Sequence, residues 1–307
     1  PARFVDIRGL RSGGAVKLIR FADIPQGDVI SYVTLSHCWG GVVPLRTLKA
    51  NLRDHLKKIP KSSIPRTFSN AIILAQALGI GFLWIDSLCI VQDDPSDWET
   101  EASKMHTIYR GAVLAIAATS SKSSNDGPDL STYQSLPIHT RGWIFQERLL
   151  SPRILHVMDD EFIWQCHALL DTESGRCLRE RGTGRNDEYQ WEPLSAVYTV
   201  PRPPPRGDEN PGFATDRLWW TWVQSYTDRK LTYPTDIFPA FGGMVKQFAE
   251  LSGDEPVLGL WRRELPLHLS WSTHTLGCAP GAGTVARIPA ELRALTEALP
   301  SWTWMSM

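Results

Sequence analysis

No apolar run in this 307-residue chain approaches the roughly 20 residues of a membrane span, and its amino end carries no basic-then-apolar leader. Those two absences lead us to expect a cytoplasmic protein with no membrane span. A net charge is missing as well. Lys and Arg number 32 against 33 Asp and Glu, a formal charge of -1, so no overall field gathers polyanions or acidic membranes and nucleic acid is not expected as a partner. A paired cysteine framework is also absent: Cys38, Cys89, Cys166, Cys177 and Cys278 are odd in number and far apart, in a chain too large to need disulfide staples. Reduced thiols are expected. Cys166, His167, Cys177 and His156 lack the tight paired spacing of structural zinc ligands, and Gly40-Gly41 alone makes no phosphate-binding motif. We therefore expect no metal and no cofactor.

What is present is core material, with 42% hydrophobic residues and 13 Trp, enough for a large globular domain or two ordinary ones. In the first half, short apolar runs alternate with segments of helical period, the pattern of an α/β protein with a parallel sheet. Residues 31–35 read as a strand and 36–41 as the loop at its carboxyl end. From Pro65, Phe68, Ala71, Ile72, Ala75 and Leu78 recur at helical spacing and Gly79 offers the C-terminal stop. The continuous run Phe82-Leu83-Trp84-Ile85 reads as a strand buried on both faces, which puts Asp86 at its carboxyl end.

Ser96 with Glu99 has the form of a capping box, opening a helix whose buried stripe is Trp98, Ala102, Met105 and Tyr109. A third strand is expected over 113–118, a polar loop over 119–128 and a short helix over 141–150, ended by Pro152. An antiparallel hairpin at the sheet edge then pairs 154–157 with 162–166 through Asp159-Asp160. The run Pro201-Arg202-Pro203-Pro204-Pro205-Arg206-Gly207 excludes regular structure, because proline lacks the N–H donor and fixes φ. Helices are expected beyond it over 218–226 and 240–251, in a Trp-rich second half with no internal repeat.

Open α/β sheets bind ligands at the carboxyl ends of their strands, here residues 36–41, 86–92 and 119–121. Ser36, His37, Cys38, Trp39 and Gly40 offer a hydroxyl, an imidazole, a thiol, an indole and close backbone approach; the plainer alternative is a tight turn around a packed Trp39. His37 and Cys38 are adjacent and so point apart, which leaves a Cys–His mechanism needing another thiol such as Cys89. Asp86 either contacts a ligand or caps the following loop. Trp143, Gln146 and Glu147 share a helical face after Arg141, suited to stacking a base and holding a sugar. The alternative is a surface helix in which Glu147 pairs with Arg141 or Arg148.

Several of these segments, in order, resemble one family. Tyr32-Val33-Thr34-Leu35-Ser36-His37-Cys38-Trp39-Gly40 is similar to the opening motif of the fungal heterokaryon incompatibility (HET) domain, and Trp84-Ile85-Asp86-Ser87-Leu88-Cys89-Ile90-Val91-Gln92-Asp93-Asp94 to its central motif. Met105 with Ile108-Tyr109, then Arg141, Trp143, Gln146 and Glu147, continue the match. Tyr226-Thr227-Asp228-Arg229-Lys230-Leu231-Thr232, Asp236-Ile237-Phe238-Pro239-Ala240-Phe241-Gly242-Gly243 and Pro300-Ser301-Trp302-Thr303-Trp304 resemble the extension behind the HET core. Val91 and Thr227 depart from the usual residues, and the stop at Met307 reads as a truncation.

The resemblance implies an N-terminal extension (1–30), a HET core (31–180), a Pro-rich loop (181–212) and a C-terminal extension (213–307). Its implied fold is a parallel-sheet, TIR/flavodoxin-like α/β core with an antiparallel edge hairpin and a mostly helical, Trp-rich extension. It implies an effector of regulated cell death in non-self recognition, and its distant likeness to TIR domains implies NAD as substrate. Glu147 and Asp86 are then the catalytic candidates. Ser36, His37, Trp39, Gly40, Gln92, Arg141, Trp143 and Gln146 are the substrate-binding candidates. The alternatives are a non-enzymatic signalling module that self-associates or binds an incompatibility partner, and a HET-like scaffold recruited to a metabolic enzyme.

Overall fold

The computed structural model describes residues 1–38, 45–119, 137–158, 161–175, 211–270 and 303–304. Trp39, Gly40, most of the polar loop after Thr119, the Asp159-Asp160 turn, Cys177 and Cys278, the Pro-rich run and Pro300 to Trp302 lie outside the described residues.

Among those residues eight strands join in one sheet: β1 (Arg3–Asp6), β2 (Lys17–Arg20), β3 (Tyr32–Ser36), β4 (Phe82–Ile85), β5 (Leu114–Ala118), β6 (Arg153–Val157), β7 (Phe162–Cys166) and β8 (Leu170–Thr172), in the order β2-β1-β4-β3-β5-β6-β7-β8. The centre, β4-β3-β5-β6, is parallel. Both flanks are antiparallel. Residues 1–30, expected as an extension, supply β1 and β2 of this same sheet. The expected edge hairpin is β6 with β7, Leu155 facing Trp164.

Numbered among themselves, the parallel strands run 2-1-3-4, the flavodoxin-type order. In such sheets the ligand crevice opens where the order reverses, here at the carboxyl ends of β3 and β5. β4 is buried along its whole length, as a continuous Phe-Leu-Trp-Ile run in a doubly covered strand requires.

The helices follow the periodicity where packing decides and depart from it where a local signal competes. After α1 (Leu52–Lys57), α2 (Arg66–Ala77) buries Phe68, Ala71, Ile72 and Ala75 and stops at Gly79, whose φ of 74° only glycine adopts freely. Leu78, expected on the buried stripe, is exposed, because the helix has already ended. Asp86 opens a single turn, α3 (Asp86–Cys89).

The capping box at Ser96 does not form. Pro95 occupies the first turn of α4 (Pro95–Ala102) with Asp94 at its N-cap, so Ser96 is already helical and cannot cap. The single helix expected there is broken after Ala102 and resumes as α5 (Met105–Gly111), with Ala102, Met105 and Tyr109 buried as the stripe requires.

Beyond β5 comes α6 (Gly142–Leu150), which packs on the second half of the chain: α7 (Pro211–Thr227) and α8 (Pro239–Ser252), a small hairpin of β9 (Pro256–Val257) with β10 (Leu260–Trp261), and the turn α9 (Leu265–His268). Trp219 sits edge-on to Trp261 at 5.0 Å and also meets Phe241 and Phe248, while Trp304 closes the cluster against Phe241. These aromatics extend the hydrophobic core of the sheet into the C-terminal part. Gly243 of α8 lets α6 approach closely, its N–H donating to the Gln146 Oε1 at 3.2 Å. Among the described residues no helix is long and apolar enough to cross a membrane.

Candidate functional site

At the carboxyl ends of β3 and β4, between α4, α6 and the segment that follows α7, a cavity of about 470 Å³ opens. Asp86, His37 and Glu147 line its inner wall, Trp98 and Trp143 one side, and Arg46 and Arg141 supply positive charge. The cavity sits one strand over from the β3–β5 reversal but still at strand carboxyl ends, and ligand sites favour this mixture of aromatic wall and few polar groups.

Glu147 is 7% exposed, so its carboxyl is held by the protein rather than by water. Among the described residues both of its hydrogen bonds land on Oε2, one from the Ser36 hydroxyl at 2.6 Å and one from the Tyr109 hydroxyl at 2.9 Å. Burial pushes the carboxyl up to about 7; the Ser36 bond opposes this, the Asp86 charge adds to it, and Arg141 and Tyr109 also oppose it. The surface helix in which Glu147 pairs with Arg141 or Arg148 is not what forms: the α6 stripe is turned inward, and the carboxyl contacts hydroxyls.

Asp86 starts α3 and accepts the Ser87 N–H at 2.6 Å, so it caps its own turn while its partly exposed carboxylate faces the cavity. His37 Nδ1 lies 3.9 Å from Asp86 Oδ1, too far for a hydrogen bond. Burial keeps the imidazole below its usual pKa, so it is neutral at pH 7. The His37 carbonyl accepts from Arg141 Nη1 at 2.9 Å, which fixes the guanidinium over the end of β3. Gln92 reaches back to the Asp86 and Ile90 carbonyls, both at 3.2 Å, and braces the Asp86 loop.

Trp143 donates its indole N–H to Asp236 Oδ2 at 2.8 Å and stands edge-on to Trp98 at 6.1 Å. Burial raises the Asp236 carboxyl above its usual range, against the pull of the Trp143 bond. The second half of the chain reaches the site through Lys230, whose carbonyl takes the Gly142 N–H at 2.9 Å and whose N–H goes to the Thr140 carbonyl at 2.6 Å. That short parallel bridge carries Lys230 to Tyr233 and Asp236 to the cavity mouth.

Of the candidates read from the sequence, His37, Asp86, Gln92, Arg141, Trp143 and Glu147 line one cavity. Ser36 sits behind it as the hydrogen-bond donor to Glu147. Gln146 does not share the face of Trp143 and Glu147 in use: its Oε1 accepts from Gly243 of α8, away from the cavity. Trp39 and Gly40 lie outside the described residues. Cys89 is buried with its thiol pushed up to about 12, so it offers no thiolate to a mechanism. Among the described residues no three His, Cys, Asp or Glu side chains are grouped to hold a metal, and His156 is instead buried against Gln165 at 3.0 Å.

Sequence reasoning missed Arg46, Tyr233 and Asp236, and placed Trp98 only in the core. The one available signal was that Asp236 opens a segment already singled out by resemblance.

Comparison with known proteins gives one match. Neither the curated proteins nor the solved structures yielded a similar chain. Residues 32–135 match the family described as Heterokaryon incompatibility protein (HET). They contain β3, β4, β5 and the Asp86 wall of the cavity, while Arg141 to Glu147 and the segment 230–236 lie beyond the match. Across residues 32–135, then, the chain is similar to the HET region of heterokaryon incompatibility proteins.

Proposed function

We propose that the chain is a cytoplasmic effector of heterokaryon incompatibility whose cavity hydrolyses the glycosidic bond of a nucleotide, with NAD as the substrate to test, and that this activity drives cell death. The HET match supports the biological half of this reading. The observation that carries the chemical half is Glu147: a buried carboxyl, ionising at about 7, facing the same cleft as Asp86 and beside a Trp98–Trp143 wall.

In this mechanism the ring stacks on Trp143 and the ribose sits between Asp86 and Glu147. The C1′–N bond breaks and its electron pair neutralises the departing nicotinamide ring. Positive charge grows on C1′ and the ring oxygen, where the Glu147 carboxylate stabilises it in a poorly solvated site. Water then bonds to C1′ and passes its proton to bulk water, giving ADP-ribose, nicotinamide and a solvated proton. Ser36 and Tyr109 hold Oε2 in place, so the carboxylate need not reorient as charge develops. Because the ionised form works, the rate should climb with pH through about 7 and then level.

The test is nicotinamide release from NAD at high protein concentration. Glu147→Gln should lower the rate by about 10²–10³-fold, and Asp86→Ala should weaken substrate use. Absence of turnover in the wild type at every protein concentration would overturn the chemistry and leave a signalling module that acts through self-association or an incompatibility partner.

A further inference from the structure

We propose that Arg46 is the phosphate anchor of the cavity, so that the site selects ligands bearing a phosphate or diphosphate over the corresponding nucleosides. This deepens the nucleotide reading above and rests on it for the sugar half of the ligand.

Arg46 lines the cavity beside Asp86 and Gln92, and none of the described residues pairs with its guanidinium. The other two cations of the cavity are differently placed. Arg141 already spends an N–H on the His37 carbonyl at 2.9 Å, and Lys230 is exposed at the rim. The carboxylates nearest in sequence to Gln92 are also engaged elsewhere. Asp93 accepts the Lys49 backbone N–H at 2.8 Å and Asp94 pairs with the Lys49 ammonium at 3.5 Å. A half-buried guanidinium that meets no anion among the described residues, at the wall of a cavity, is suited to bidentate capture of phosphate oxygens.

The base of Arg46 is rigid, which is what an anchor needs. Its neighbour Thr47 is fully buried and stapled to the Asp86 loop, its N–H donating to the Ser87 carbonyl and its carbonyl accepting from the Gln92 N–H, both at 2.9 Å. The Thr47 hydroxyl donates to the Leu88 carbonyl at 2.7 Å and meets His55 Nδ1 at 3.0 Å. Asn51 Nδ2 holds the Arg46 carbonyl itself at 3.1 Å. The loop carrying the cation is therefore locked to the loop carrying Asp86, and a ligand can span from one to the other without reorganising either.

The experiment measures binding, not turnover, by calorimetry with ADP-ribose, inorganic pyrophosphate and nicotinamide riboside on the wild-type chain and its Arg46→Ala and Arg46→Lys variants, with melting curves to confirm folding. Arg46→Ala should weaken ADP-ribose and pyrophosphate by about tenfold to a hundredfold and leave nicotinamide riboside unchanged. Arg46→Lys should recover part of the loss, since it keeps the charge but not the fork. Equal affinities of wild type and Arg46→Ala for both phosphate ligands would overturn the proposal, as would a wild type that binds nicotinamide riboside but neither of them. Arg46-dependent phosphate binding in a protein that leaves NAD intact would uphold the anchor and overturn the hydrolysis alone.

Discussion

The sharpest consequence of burying Glu147 is a penalty on folding that switches on with pH. In an unfolded chain its carboxyl ionises near 4.5, in the folded protein at about 7. Below 4.5 both states hold the proton and the group contributes nothing. Between 4.5 and 7 the unfolded chain releases its proton while the folded one keeps it, so stability falls as pH rises; above 7 both are ionised and the loss is complete. At about 1.4 kcal/mol per pH unit the full effect is about 3 kcal/mol, a large part of the stability of an ordinary domain.

Glu147→Gln removes the ionisation and keeps an oxygen to accept from Ser36 and Tyr109. Urea denaturation of both proteins from pH 4.5 to 8, with stabilities taken by linear extrapolation, measures the difference directly. The buried histidines act in the opposite direction, because His37 and His156 are held neutral by burial, His156 down to about 3, and folding gains as pH rises towards their usual range. They are present in both proteins and cancel in the comparison. The variant should gain on the wild type by about 3 kcal/mol across this range, with its midpoint between 4.5 and 7. Parallel pH profiles for the two proteins would refute the placement of Glu147 as a buried, hydroxyl-held carboxyl.

Ser36→Ala removes the shorter of the two hydrogen bonds to Oε2, so the Glu147 ionisation should move above about 7, read as an upward shift in the midpoint of that same stability profile; no shift would mean that the bond is not made in solution. Gly243→Ala places a Cβ 2.5 Å from Gln146 Oε1 and 2.9 Å from His106 Cβ, which should cost about 1–3 kcal/mol in denaturation experiments by prying α8 off α6. Pulse alkylation at pH 8 followed by peptide mapping should label Cys166 readily and Cys89 only after unfolding, since the Cys89 thiol is buried and pushed up to about 12 while neighbouring backbone N–H groups lower that of Cys166. Equal labelling of the two in the native protein would contradict the core position of Cys89.

How far the fold was legible depends on which signal was in control at each element. β4 was readable because a strand covered on both faces needs only an apolar run, and α2 because its stripe and terminal Gly79 agree. The helix after Asp94 was misread at its start and in its middle for one reason. Local hydrogen-bonding patterns such as Ser96 with Glu99 are weak next to a proline that has already fixed the first turn, and a stripe of buried residues continues equally well through a break such as the one after Ala102. β1 and β2 were missed because residues 1–30 carry no periodic run long enough to stand out; they become strands by pairing with β4 and each other.

The site divides along the same line. Asp86 and His37 could be placed from sequence because each follows a strand whose carboxyl end is a ligand position in any open α/β sheet. The inward turn of Glu147 could not, since helical spacing puts it with both Trp143 and Gln146, and only the position of α8 decides that Gln146 is taken up by Gly243 while Glu147 reaches Ser36. Asp236 and Arg46 were harder still. Each arrives through backbone pairing between distant segments, Lys230 with Arg141 and Thr47 with Val91, and an isolated bridge leaves no pattern in either strand of sequence. The hydrogen bonds from Arg141 to the His37 carbonyl and from Ser36 and Tyr109 to Glu147 bring the HET-matched region and the chain beyond it to opposite sides of one cavity. Cutting the chain after residue 135 would therefore remove Arg141, Trp143 and Glu147 together with the mouth, and the HET-matched segment by itself should neither bind ADP-ribose nor cleave NAD.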